Sequence, residues 1–418
     1  MGDTISNPGP RSEAIRPNKA TWGWIIYDLA NTIFALGVVG LYIPSWLHES
    51  GLPDSALAIT EAIAGASVMV LAPWIGLRTD RSTRRLPALA LTTAVAILAT
   101  AGLASFSPTI TLVLLGIGLI GVNSGSAVYD SLLPSVSDVA TRARTSGLGV
   151  GIGYLGSFVG LGLGLLAFEV LDAGYPTTFR FLAAGFALFS IPIFLWVREH
   201  PTLQSGAGSV NPFQGLIAAW RKAARTPGVI RFLLGRFLYT DAINTLIGGF
   251  LALFVLTELN LSTREVNNLL GVAIAAAIGG GLGGGRLTRL FGARRALRAV
   301  LLLWVAALGL GAFTAAIGVT WLIWVVGVLG GLALGATWTA DRVLMLELSP
   351  PENIGEFYGL YATVGRFATI LGPLVWAAVV DGLGWGRTAA LLILAGFILA
   401  GWWVVRKDVR VGAVEVSE

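Results

Sequence analysis

Runs of about 20 apolar residues, broken by short polar or basic stretches, recur from Thr21 to Val405. A helix needs about that length to cross the hydrocarbon core of a bilayer. Inside that core each backbone N–H and C=O must be satisfied within the segment, so runs of this kind span as helices. Twelve spans are expected, near 21–47, 55–78, 86–106, 108–131, 143–171 and 176–198, then 228–258, 264–285, 296–317, 320–347, 354–381 and 385–405. Only 12% of the 418 residues are charged, too few to cover a soluble domain. The 55 glycines suit closely packed membrane helices. There is no cysteine, and His48 and His200 fall between spans. No metal, no cofactor and no enzymatic Ser/His/Asp set is therefore expected.

The net charge of +5 lies in the breaks, which argues against nucleic acid as a partner. Of 28 Lys and Arg, three (Arg180, Arg264, Arg387) fall on one side and three (Arg236, Arg342, Arg366) inside spans. The rest share the tails and the alternate loops. By the positive-inside rule both termini are expected in the cytoplasm, in a multi-pass protein of the cell membrane. Residues 1–20 and 406–418 read as cytoplasmic tails. Residues 21–198 and 228–405 form two sets of six spans, joined by a linker at 199–227. The linker's "NPFQGLIAAWRKAAR" places apolar and basic residues at helical spacing, as in a helix lying on the membrane surface or an ordinary linker helix.

The sets repeat. "GLRTDRSTRR" at Gly76–Arg85 has a counterpart, "GRLTRLFGAR", at Gly285–Arg294, 209 residues later; Asp130 and Asp341 are 211 apart. "YDLANT" (Tyr27–Thr32) returns as "YTDAINT" (Tyr239–Thr245). Parallel repeats of this kind build transporters that rock about a central site.

Asp28 and Asn31 share a helix face, as do Asp241 and Asn244. By helical rise Asp28 lies roughly 10 Å, and Asp241 roughly 15 Å, into a core about 30 Å thick. Carboxyls at that depth are expected to face water or the bundle interior. Two readings stand: a shared site for substrate and protons, joined by Tyr27 and Tyr239, or structural bonds that lock helices. Arg366, near mid-membrane, needs an anion, either a substrate carboxylate or Asp241. Arg236 is expected to snorkel to the cytoplasmic surface. Asp130, Asp341 and Arg342 are expected to form gating ion pairs at helix ends, and Glu61 is a second candidate proton site. "GIGYLG" (Gly151–Gly156) fits a dinucleotide pattern but lacks the preceding strand, so it reads as a packing face with Gly160 and Gly164.

"GLRTDRSTRR" resembles the loop signature of the major facilitator superfamily, with Thr83 in place of its second glycine and, in the later copy, Arg289 in place of the aspartate. "WGWIIYDLANTIFA" (Trp22–Ala35), "VYDSLLPSV" (Val128–Val136), "RFLYTDAINT" (Arg236–Thr245) and "SPPENIGEFYGLYATVGRFATILGP" (Ser349–Pro373) are similar to its vacuolar effluxer-like, autophagy-related branch. The resemblance implies an all-α membrane protein with the major facilitator fold, two pseudo-symmetric six-helix bundles and alternating access. It implies gating by Asp80, Arg81 and Arg84, Asp80 contacting the chain near Gly355–Tyr358. It also implies proton-coupled efflux of amino acids or related small polar solutes by a monomer in the lipid bilayer. An exporter of amphipathic drugs or lipids, or a sensor that transports nothing, are the alternatives. The superfamily's antiporter signature is broken, with Leu161 where it has a proline.

Overall fold

The computed structural model describes residues 18–82, 84–138, 141–199, 212–350 and 354–406, and among them there are helices and no strand. In chain order the helices are α1 (Lys19–Glu49), α2 (Asp54–Ser82), α3 (Leu86–Gly102), α4 (Pro108–Ser131), α5 (Arg142–Leu165, continuing through Leu166–Val170) and α6 (Gly174–Trp196). Then come α7 (Pro212–Arg225), α8 (Val229–Glu258), α9 (Thr263–Phe291), α10 (Ala293–Ile317) and α11 (Leu322–Leu348). The last three are α12 (Ile354–Phe367), α13 (Leu371–Ala377, continuing through Ala378–Gly382) and α14 (Arg387–Arg406). Among the described residues eleven stretches are long and apolar enough to cross a membrane; α3, at 17 residues, is shorter. His48, expected between spans, sits in the last turn of α1, because the helix runs two residues past the expected end.

Sequence signals set the helix starts. Asn18 accepts the Thr21 backbone N–H at 2.8 Å, and Ser262 with Glu265 forms a reciprocal capping box at α9. Among the described residues four stretches widen to i→i+5 winding: Ile33–Tyr42 in α1, Leu166–Val170, Leu246–Phe250 in α8, and Ala378–Gly382. Such turns often mark functional sites. The wide turn at 166 recurs at 378, 212 residues on, and the left-handed residues Asp172 and Gly174 recur as Gly384 and Gly386 at the same interval.

The helices before α7 pack mostly on one another, α1 against α5 and α6, α4 against α2 and α3. Those after it do likewise, α11 against α9 and α10, α14 against α8 and α10. The two groups meet where α1 crosses α8, α2 lies on α13, and α5 lies on α9. The α1–α8 crossing depends on Gly249. Its φ of 109° is one that residues with a β-carbon rarely adopt, and a β-carbon there would lie 2.6 Å from Pro44 and 2.7 Å from the Val39 carbonyl oxygen.

Candidate functional site: a central cavity between two charged latches

A cavity of about 350 Å³ opens between the two groups of helices, with walls from α1, α2, α4, α5, α8, α9, α11 and α13. Most of its lining is apolar. Glu61 of α2, Asn123 of α4, Tyr154 of α5 and Asn244 of α8 supply polar groups, and Trp338 of α11 an aromatic one. The Glu61 carboxylate faces Gly248, whose missing side chain makes the room: a β-carbon would sit 3.3 Å from Oε1. Glu61 has no hydrogen bond or ion pair among the described residues. Asn244 donates to the Ala368 carbonyl at 2.7 Å, where the chain breaks between α12 and α13. A second, apolar pocket of about 90 Å³ shares Leu36, Ile247, Ile274 and Leu334 with the first.

The two Asp/Asn motifs divide between cavity and packing. Asn244 and Thr245 line the cavity, as does Thr32, whereas Asp28, Asn31 and Asp241 are not in its wall. Asp28 lies against α5, where a β-carbon on Gly153 would come within 2.6 Å of its Oδ2. Asp241 is fully buried, with its carboxylate toward the backbone amides of Ile370, Leu371 and Gly372 but with no aligned hydrogen bond. The tyrosines do not join the cavity either. Tyr27 is buried, bonded to the Thr93 hydroxyl at 2.6 Å and stacked on Tyr129. Tyr239 is buried and donates to Asp341 Oδ1 at 2.8 Å. Each tyrosine sits where α1 or α8 packs inside its own group of helices, away from the interface that forms the cavity.

Toward the end that carries the termini lies a charged cluster. Arg366 Nη2 reaches Asp130 Oδ2 at 3.0 Å, linking the two groups, so its anion is Asp130 and not Asp241. That link is wet: the Asp130 side chain is 62% exposed. Arg342 makes no ion pair among the described residues, yet lies close enough to act electrostatically on Asp28, Asp130 and Asp341. Arg236 does not snorkel. Its side chain is 6% exposed, 3.2 Å from Asp341 Oδ2 as an ionic contact without hydrogen-bond alignment, and 3.7 Å above the Tyr361 ring. Asp341 itself is fully buried, accepting from Tyr239 and from Tyr361 at 3.1 Å. It stands two turns inside α11 and not at its end, which gives Arg236 an anion nearer than water. The equivalent place in α1 holds Trp24, which stacks on Tyr129 at 4.4 Å and donates to the Tyr129 carbonyl at 3.1 Å. There Gly149 leaves no room for a β-carbon, which would lie 2.7 Å from the indole. Arg84 is exposed, while the side chains of Asp80 and Arg81 lie outside the described residues, as does the Gly355 part of the contact expected for Asp80.

The opposite end is sealed by residues that sequence reasoning missed. Asp54, at the start of α2, is fully buried and accepts from Arg387 Nε at 2.9 Å, Arg387 Nη2 at 2.8 Å and Trp376 Nε1 at 2.8 Å. Beside it the Ser55 N–H donates to Asp381 Oδ2 at 2.5 Å. Here a forked guanidinium meets a fully buried carboxylate, the strong form of an ion pair. The signal lay in charge sorting: Arg387 is one of three bases on that side, and a base there asks for an acid near a helix end.

The family model described as "Vacuole effluxer Atg22 like" matches residues 134–417. The uncharacterized MFS-type transporter YxiO of Bacillus subtilis is 24% identical over 92% of this chain and 94% of its own length. Autophagy-related protein 22-1 of Neosartorya fischeri is 28% identical over 61% of this chain; the match spans 46% of that longer protein. Among solved structures, the nucleoside transporter NupG superposes with a TM-score of 0.71 at 14% identity, over 93% of this chain and 98% of that one. A bacterial homolog of the human lysosomal transporter Spinster, in an inward-facing and occupied conformation, gives 0.64 at 14% identity, over 93% and 94%. Apolar helices of spanning length, a cavity walled by both groups and a fold shared with transporters agree with the family match. The chain is a multi-pass membrane transporter of the major facilitator type and belongs to the vacuole effluxer Atg22-like family.

Proposed function

We propose that this chain is a secondary transporter that exports amino acids or related small polar solutes by alternating access, driven by protons. In this reading it has twelve spans in two pseudo-symmetric bundles, 21–198 and 228–405. They are joined by the linker at 199–227, with the tails 1–20 and 406–418 in the cytoplasm of a cell-membrane protein that acts as a monomer. The observation that carries the reading is the Glu61 carboxylate, open to the cavity and unpaired among the described residues, in a cavity also lined by the amides Asn123 and Asn244. A carboxyl so placed alternates between a proton and the ammonium of a substrate, while the amides orient its polar groups. The Asp54–Arg387 latch must part for the cavity to open away from the termini. The Asp130–Arg366 link, with Arg342 and Asp28 beside it, guards the other side.

The apolar pocket beside the cavity favours a second reading, an amphipathic drug or lipid as cargo. One experiment separates them: flux of a panel of amino acids and amphipathic amines through purified protein in liposomes, with and without an imposed pH gradient. Gradient-driven amino-acid flux supports the first reading, and amine flux alone supports the second. Absence of both, with the protein still folded, refutes transport of these solutes.

A further inference from the structure

Helix α7 lies outside the cavity and the latches. Ala219 and Ala223 are 5% and 0% exposed and form the side by which it rests on α8 and α12. Trp220 and Arg221 stand exposed beside them. Between α7, the first turns of α8 and α12 runs a groove of about 500 Å³. Its floor is Leu233, Leu234, Phe237, Leu360, Val364 and Phe367, and Arg221 stands at its mouth. The one hydroxyl in the wall, on Thr363, already donates to the Gly359 carbonyl at 2.8 Å. Below Arg221 the wall offers a polar group nothing to bond and a hydrocarbon chain a slot.

Depth and charge name the occupant. Leu233 and Phe237 lie four and eight residues past Val229, roughly 6–12 Å below the entrance of α8. Helix α7 crosses that entrance with a tryptophan and bases, the residues that favour headgroup depth. Between Pro212 and Arg225 there are Arg221, Lys222 and Arg225 and no acid. Bases of one sign next to an acyl-sized slot complement an anionic headgroup. We propose that this groove binds one anionic phospholipid, with an acyl chain along Leu233, Phe237 and Val364 and its phosphate on Arg221. The wall residues are chain neighbours of Arg236, Tyr361 and Arg366, so a lipid seated there props the helices that carry the charged cluster.

The test uses the purified full chain in neutral detergent, titrated with phosphatidylglycerol or phosphatidylcholine and followed by native mass spectrometry. The wild type is expected to retain one phosphatidylglycerol in preference to phosphatidylcholine. Arg221→Gln, at an exposed position, is expected to bind phosphatidylglycerol about fivefold more weakly with phosphatidylcholine unchanged, and Arg221→Lys to keep the preference. Leu234→Trp fills the slot from its lipid-facing side and is expected to weaken both lipids. Equal or unsaturable binding of the two lipids by the wild type overturns the proposal, as does wild-type binding by both Arg221→Gln and Leu234→Trp. Elution of each variant as a single species confirms that it is folded.

Discussion

Replacing Asp54 with Asn tests whether the buried latch sets which way the cavity opens. The carboxylate accepts three hydrogen bonds, two from the Arg387 guanidinium and one from Trp376. Hydrogen bonds to charged groups contribute roughly 1.5–3 kcal/mol each. Arg387 is 25% exposed, so water recovers part of what it loses. A net loss of about 2–3 kcal/mol in the sealed state shifts the balance of sealed and open forms by roughly 30- to 150-fold. The chain has no cysteine, so Ser157→Cys in the cavity wall provides a single reporter. Its labelling by an impermeant thiol reagent, applied from the face away from the termini, is expected to accelerate by that factor in Asp54→Asn. Adding Arg387→Gln is expected to change the rate little further, because the partner left unpaired is then removed. An unchanged rate from that face refutes the latch.

Three further outcomes are expected. Glu61→Gln abolishes pH-gradient-driven accumulation in liposomes while leaving solute exchange intact, and unimpaired accumulation removes Glu61 from coupling. Asp341→Ala leaves the buried Arg236 without its anion, a loss of about 3–5 kcal/mol that should appear as a steep fall in thermal midpoint, whereas Tyr239→Phe costs only one hydrogen bond. Asn244→Ala raises the apparent KM for solute severalfold, while Asn31→Ala, outside the cavity wall, leaves it near wild type.

The helices and their apolar lengths were legible because the bilayer leaves a chain few choices. An apolar run must hide its backbone, and basic loops must stay out of the membrane. The site was legible only in part, and one slip in register explains much of the rest. Aligned on Asp and Asn, the motifs at 28 and 241 are 213 apart; aligned on their tyrosines, they are 212 apart. The second register pairs Thr32 with Asn244, and those are the residues that line the cavity. One residue turns a helix by about 100°, enough to carry Asp28 and Asn31 off the cavity wall. Arg236 was misplaced for another reason. Its distance from the helix end follows from sequence, but the nearness of Asp341 and Tyr361 is made by α11 and α12, more than a hundred residues on. Sequence singles out Glu61 by its acidity alone; that Gly248 clears space before it appears only where α8 passes α2.

Trp24 and Arg236 lie 212 residues apart, the interval at which the wide turns and left-handed residues recur, and the surroundings that hold them are of unlike kinds. Trp24 is wedged between Gly149 and Tyr129, a fit of shape that ionic strength does not touch. Arg236 lies between Tyr361 and Asp341, a fit of charge. A tryptophan in place of Arg236 would leave the buried Asp341 without its cation. Each filling and its partners lie on one side of the linker, so an exchange at either position alone, Trp24→Arg or Arg236→Trp, breaks a fit that its surroundings are shaped for.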